Sequence, residues 1–406
     1  MAYIGRTPTG SILTGADIAD GSISTAKLAD TAVSTAKIAD NSITTAKTAF
    51  NDIPFRNLII NGDMSIAQRG TSASSSGSGY HCIDRMNIFC GIGTHTFSQS
   101  TTVPTGQGFV KSFKVDCTTA EASPSASDVF IFGQKLEGQM LQMLKKGTSN
   151  AESVTISFWV RSNKTGTYTL EIQDLDNTRQ ISKTYTIDSA DTWEKKTINY
   201  DGDTTGVFDN DNANSCQINW WIGAGSNFTS GTLNTSWAST TNANRVSSSQ
   251  VNIGDNTSNE WYITGVQLEV GTSASDFDFI PYDVNLKRCQ RYFETFPSNG
   301  GDGVIGYGYG SGSDTARTMF PFKVTKRSAP TMSDSLSSSR QYRINFTATD
   351  GTAVNQNSTS TPSFGTISTL NSGYMNLSGF SSIGGGHNGF LIYNNNTTLL
   401  SADAEL

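Results

Sequence analysis

Hydrophobic residues recur along this chain at spacings that change on the way. Between Ile18 and Ile43 they fall about every five positions, at Ile18, Ile23, Leu28, Val33, Ile38 and Ile43. That period fits neither the heptad seam of a coiled coil nor the two-residue alternation of a strand. From Asn57 onwards, short runs alternate apolar with polar residues, are rich in β-branched and aromatic types, and are broken by Gly, Asn, Asp and Ser. Such runs read as strands with one buried face. They are Asn57–Asn61, Met86–Cys90, Phe109–Val115, Asp128–Gly133, Val154–Ser162, Thr167–Gln173, Ser182–Ile187, Trp193–Tyr200, Cys216–Gly223 and a closing Trp261–Val270. Their spacing is that of a β-sandwich or jelly roll. One helix is expected among them, Gln134–Lys146, with Leu136, Met140, Met143 and Leu144 on one face and Gly147 positioned to cap it.

The stretch from Glu260 to Phe293 marks a change of region. After the closing strand, turn-forming residues run from Gly271 to Asp278, Pro281 blocks ladder pairing, and Val284–Phe293 has the composition of a short helix. All six tryptophans precede this point. Beyond it, Met319–Val324, Tyr342–Thr347, Gly373–Leu377 and Gly389–Tyr393 read as strands separated by Gly- and Ser-rich turns. The expected fold class is therefore mainly β. A ten-residue repeat stalk occupies residues 1–50, a jelly-roll sandwich 51–283, and a smaller C-terminal β tip 284–406.

In the stalk, Asp20–Ala29, Asp30–Ala39 and Asp40–Ala49 align in nearly every residue class. Units this small cannot bury their own apolar residues, so neighbouring copies or other chains must cover them. Self-association follows. Composition narrows the function. Only 16% of residues are charged and the formal net charge is -7, with no cluster of cations to displace phosphate counterions, so a nucleic-acid partner is not expected. The first residues lack the apolar core of a signal peptide, and no apolar run approaches the roughly 20 residues that span a bilayer. Membrane insertion is not expected either. The five cysteines are scattered without a CxxC pair and read as separate buried hydrophobes.

A family resemblance rests on particular strings. Tyr262-Ile263-Thr264-Gly265-Val266-Gln267-Leu268-Glu269-Val270-Gly271, then Phe279-Ile280-Pro281-Tyr282-Asp283, then Lys287-Arg288-Cys289-Gln290-Arg291-Tyr292-Phe293, resembles the sandwich-to-tip junction of bacteriophage tail-fibre and receptor-binding proteins. Residues 57–70, followed by Asp84-Arg85, are similar to the start of the same sandwich. The opening at Tyr3–Gly10 resembles the end by which such fibres attach to the particle, while Phe322–Thr331 and Ser401–Leu406 are similar to segments of fibre tips. The resemblance implies a virion tail-fibre subunit made in the host cytoplasm, a homotrimer joined to a tail or other virion protein through its N-terminus. Its tip would adhere to a host surface polysaccharide or receptor without catalysis. Two alternatives stand beside it: a structural capsid or neck fibre, and a tailspike-like polysaccharide depolymerase.

Candidate chemistry is sparse. The histidines His81, His95 and His387 lie in no metal or nucleophile motif, and Gly308-Tyr309-Gly310-Ser311-Gly312 is not a nucleophile elbow. No cofactor is called for. The glycine-rich run Gly300–Gly312 reads as a flexible, exposed tip loop. Asp201, Asp203, Asp209 and Asp211 offer closely spaced oxygens for calcium but lack EF-hand order, so a solvated turn is the competing reading. Sugars lay C–H faces on aromatic rings while amides satisfy hydroxyls. The glycan candidates are Trp220, Trp221 and Trp237 with Asn219 and Asn234, plus Tyr307 and Tyr309. Strand alternation sends Trp220 and Trp221 to opposite faces, so at most one is expected in the core; Tyr307 and Tyr309 share a face.

Overall fold

The computed structural model describes residues 55–297, 303–334, 342–347, 353–358, 363–364, 369–380, 388–393 and 399–406. The repeats of residues 1–50 lie outside these. With strands numbered in chain order, the first sheet runs β1 (Ser72–Ser75), β3 (Thr94–Ser100), β4 (Ser112–Thr119), β12 (Glu260–Val270), β6 (Val154–Ser162), β9 (Glu194–Tyr200). The second runs β11 (Ala238–Ser239), β8 (Arg179–Ile187), β7 (Gly166–Asp174), β10 (Asn214–Ala224), β5 (Val129–Glu137), β2 (Asn87–Cys90). All ladders between these strands are antiparallel. Alternate residues of both sheets meet in one core, where Phe97, Phe113, Phe158 and Trp261 from the first face Phe130, Phe132, Leu170 and Trp220 from the second. The protein is mainly β, with a sandwich of two six-stranded sheets.

After a one-turn helix α1 (Ser226–Thr229) that follows β10, helix α2 (Tyr282–Gln290) comes after the sandwich. Beyond it lie a three-stranded sheet, β13 (Phe293–Pro297), β22 (Leu399–Asp403), β16 (Thr331–Asp334), and a seven-stranded one. The latter runs β18 (Ala353–Asn357), β17 (Tyr342–Thr347), β21 (Asn388–Tyr393), β14 (Gly303–Gly310), β15 (Ala316–Pro321), β20 (Ser372–Leu377), β19 (Ser363–Phe364). These sheets share a second core that includes Phe296, Phe320, Met332, Met375 and Leu400.

Three expectations are corrected. The helix over Gln134–Lys146 does not form. Gln134, Lys135 and Leu136 belong to β5, where Leu136 points into the core, and only two single 3-10 turns follow, at Gly138–Met140 and Gln142–Leu144. Lys145 then adopts a left-handed φ of 49°. Because Leu136 serves the two-residue alternation of a strand, the helical stripe was a coincidence of spacing; Met143, on that stripe, is exposed.

Residues 57–61 are not a strand. They brace β12 instead. The Asn57 side chain accepts from the backbone N–H of Ile59 and of Leu268, both at 3.0 Å, and donates to the Val266 carbonyl at 2.9 Å. The Gln134 amide donates to the Ile60 carbonyl and accepts from the Ile60 N–H, both at 2.8 Å, so one side chain takes the place of a strand neighbour. Asn61 likewise holds Ile66 at both its N–H and carbonyl. Third, β12 is buried on both faces rather than one. The brace and residues 275–279 cover its outer side, where Gln267 and Glu269 bond Ser275, and a bulge at Gly265, φ 63°, gives Phe109 room that a side chain would fill.

The C-terminal residues pack back against the sandwich within the compact unit Pro54–Leu406. Arg85, fully buried, holds the Glu405 carboxylate and stacks 3.5 Å from the Tyr292 ring centre. Arg327 donates to the carbonyls of Ala404 and Glu405, and Lys326 pairs with Glu294 at 2.5 Å with both side chains out of solvent.

Candidate functional site

The described part of the glycine-rich run is not a flexible loop: Gly303–Gly310 is a central strand, β14, while residues 300–302 lie outside the described residues. Its alternating glycines explain why. A Cβ on Gly306 would lie 2.7 Å from the Met319 carbonyl oxygen, and one on Gly308 would lie 2.6 Å from both the Arg317 carbonyl and the Thr318 hydroxyl. Glycine at these inward positions lets β14 lie against β15 where any side chain would collide. The residues between them point the other way. Tyr307 is 69% exposed and Tyr309 43%.

Register assembles the rest of this face. Tyr307 pairs across to Met319, and Met319 in turn to Tyr374; one step on, Tyr309 pairs to Arg317 and Arg317 to Asn376. In β15 the alternation is strict: Ala316, Thr318 and Phe320 are buried while Arg317, Met319 and Pro321 are exposed. On β20, Gly373, Met375 and Leu377 face the core and Tyr374 and Asn376 lie half-covered on the outer side. The outer face of three adjacent strands thus carries Tyr307, Tyr309, Met319, Tyr374 and Arg317 around an open depression of about 450 Å³. The Tyr374 hydroxyl donates to Asn376 at 3.0 Å, which orients its ring. Arg317 stands opposite Tyr309 in the ladder, and the tyrosine hydroxyl raises the guanidinium above its ordinary pKa.

Such a surface is unusual for a core-forming sheet: cross-strand aromatic neighbours normally bury each other, whereas here they leave ring faces and a thioether open to water. Chemically it can stack apolar faces of a ligand and hydrogen-bond its rim. Among the described residues the face offers no paired carboxylates and no nucleophile with a base. Tyr307 and Tyr309 were legible from their spacing. Arg317, Met319 and Tyr374 were not singled out, because the pairing that brings them beside the tyrosines spans up to 67 positions of sequence, from Tyr307 to Tyr374.

The sandwich candidates lie elsewhere and serve other ends. Trp220 and Trp221 do point to opposite faces, yet both are buried, which corrects the expectation that only one would be. Trp220 fills the inter-sheet core against Phe132 and Phe158. Trp221 lies under a second small core with Phe228 and Val246, formed by the segment that covers this side of the sheet. Its indole N–H donates to Glu171 at 3.0 Å, and Arg245 both binds Glu171 and sits 5.1 Å over the indole ring. Asn219 is buried and donates to the same Glu171. Neither indole can stack on a solvent-borne ligand. Asn234 is taken up in backbone pairing with Ser182 and Asn244.

Trp237 is half-buried and donates to the Asp201 carbonyl at 2.7 Å, with the Lys146 ammonium 5.3 Å from its ring. Asp203 is buried and bound by Arg179 at 2.6 Å and Lys146 at 3.1 Å, so two cations already occupy its oxygens. They overcome burial and hold its carboxyl below the usual range. The backbone N–H of Asp209 donates to the Asp176 carboxylate, and the Asp211 carboxylate accepts from the Ala213 N–H, both at 2.9 Å. Among the described residues no three His, Cys, Asp or Glu side chains converge as a metal site would require.

No family model matches the chain. No curated protein matches it in sequence. Solved structures similar to it include the enzymatically active domain of tailspike protein 4 of bacteriophage CBA120, at 16% identity and a TM-score of 0.29 over 54% of this chain and 22% of that one. Another is the family 11 carbohydrate-binding module of the cellulase Lic26A-Cel5E of Clostridium thermocellum, at 10% and 0.24 over 53% of this chain and 96% of that one. The tandem CBM22 modules of Paenibacillus barcinonensis Xyn10C are a third, at 8% and 0.25 over 86% and 96%. These likenesses are too distant to carry a ligand from those proteins to this one.

Proposed function

We propose that this chain is the subunit of a phage tail fibre that adheres to a host surface glycan through the outer face of β14, β15 and β20, binding without turnover. The observation that carries the reading is the open aromatic face of Tyr307, Tyr309 and Tyr374 around Met319, held on a sheet whose other side is packed core. Stacking a sugar ring removes apolar surface from water on both partners, and each ring so covered contributes on the order of 1 to 2 kcal/mol. The tail-fibre part of the reading is supported by the strings at residues 57–70 and 262–293 and by the ten-residue repeats. Self-association would present several weak sites together and raise avidity without new contacts.

The test is retention of the full-length protein on immobilised bacterial capsule and lipopolysaccharide glycans. Tyr307→Ala and Tyr374→Ala should each weaken a positive interaction about tenfold or more with unchanged melting temperature. Equal retention of both variants would show that the face is not the adhesive surface. Release of reducing ends from a retained polysaccharide would replace adhesion by depolymerisation.

A further inference from the structure

The aromatic face carries a positive charge with no carboxylate in its lining. Arg69, Arg85, Arg161, Arg179, Arg245 and Arg291 each hold a carboxylate within 4 Å. Arg317 holds none among the described residues, although acidic side chains outnumber basic ones by 35 to 28 in the chain. It is exposed, and no Asp or Glu stands among the described residues around the depression. It stands opposite Tyr309 on one neighbouring strand and Asn376 on the other, and lines the depression together with Tyr307 and Tyr374, which places it beside the ring faces.

We propose, resting on the reading of this face as the adhesive surface, that its ligand is an acidic glycan: sugar rings cover Tyr307, Met319 and Tyr374 while a carboxylate or phosphate substituent meets Arg317. The planar fork of a guanidinium suits two oxygens of such a group and keeps its charge at every physiological pH. A neutral sugar offers the fork only uncharged hydroxyl acceptors, and bonds to these are weaker than charge-assisted ones. Next to low-dielectric ring faces an opposite charge is attracted more strongly than it would be in bulk water, so the arginine favours acidic over neutral glycans in addition to strengthening the contact.

The experiment uses the full chain and two matched pairs of polysaccharides. One is a uronic-acid capsule polymer beside its carboxyl-reduced form; the other is a phosphate-bearing capsule polymer beside its dephosphorylated form. Binding to the acidic member at least tenfold tighter than to its neutral partner is expected in one pair, and which pair it is identifies the anion. Arg317→Gln should abolish that preference, and Arg317→Lys, a point charge without the fork, should restore part of it; both should melt as the parent does because the side chain is exposed. Equal, tyrosine-dependent affinity for both members of both pairs would overturn the acidic specificity and leave the adhesive face standing. No binding to any of the four would overturn both.

Discussion

Two glycines and two tyrosines in β14 divide the duties of a strand residue by residue. At Gly308 even a methyl group would meet backbone and hydroxyl oxygens at 2.6 Å. Gly308→Ala should therefore destabilise the protein by about 1 to 3 kcal/mol through overpacking, whereas Tyr309→Ala, on the exposed side, should change stability by less than about 0.5 kcal/mol. Urea denaturation of the two variants beside the parent measures the contrast. Buried titratable side chains give a second residue-scale prediction. Burial raises the Asp84 carboxyl to about 6, against the pull of Arg69 and Gln68, and burial between Phe97 and Phe130 lowers His95 to about 4. Stability from protonated Asp84 is present below about pH 4 and lost as pH rises through 6. Stability from neutral His95 is present above about pH 6.5 and lost as pH falls through 4. Each amounts to roughly 3 kcal/mol, and between pH 4 and 6 they oppose each other. Asp84→Asn should expose a stability that rises with pH across that window, and His95→Phe one that falls; parallel profiles for both variants and the parent would refute the assignment.

Elements were legible where the alternation was long. Val154–Ser162 and Tyr342–Thr347 form the strands expected of them, and Thr167–Gln173 and Cys216–Gly223 lie inside β7 and β10. At residues 57–61 tertiary partners substituted for local pattern. Leu58-Ile59-Ile60 has strand composition, but only the Leu58 N–H reaches a backbone carbonyl, that of Leu268, while the Ile59 N–H and both polar groups of Ile60 are met by the side chains of Asn57 and Gln134, and no periodicity reveals a side-chain amide acting as a strand neighbour. For the same reason half of the candidate face was readable and half was not; spacing within β14 showed Tyr307 and Tyr309 together, while Arg317 and Tyr374 arrive through register. The brace makes its own prediction. Asn57→Ala strips partners from the buried Val266 carbonyl and from the N–H of Ile59 and Leu268, and should cost about 2 to 4 kcal/mol, measured by chemical denaturation. Asn57→Asp keeps the acceptor but sets a buried carboxylate oxygen against the Val266 carbonyl, and should cost at least as much.

For the whole molecule, the two segments that bracket the family resemblance turn out to touch. Asn57 reads the backbone of β12, and Asn285 of α2 donates to Asp63 and Ser65, both at 3.1 Å. Further along, Arg85 meets Glu405 and Arg69 reaches Asp403 and Glu405, so the start of the sandwich and the last residues of the chain are held in one polar junction. Removing one partner from a buried pair strands the other, so Glu405→Ala should destabilise by about 3 to 5 kcal/mol and, if the junction couples the two cores, split a single calorimetric transition into two. The repeats call for a different measurement. The full-length chain should sediment as a multimer, expected to be a trimer, and a chain beginning at Asn51 should dissociate if the repeats hold it together.

The alternation of β14 also bears on how such a surface could change over generations. Inward positions are closed even to a methyl group, but Tyr307, Tyr309, Arg317 and Met319 project on the exposed side. Mutation there is nearly free of a folding penalty, so the face can explore new ligands one residue at a time while the sheet that carries it stays under purifying constraint.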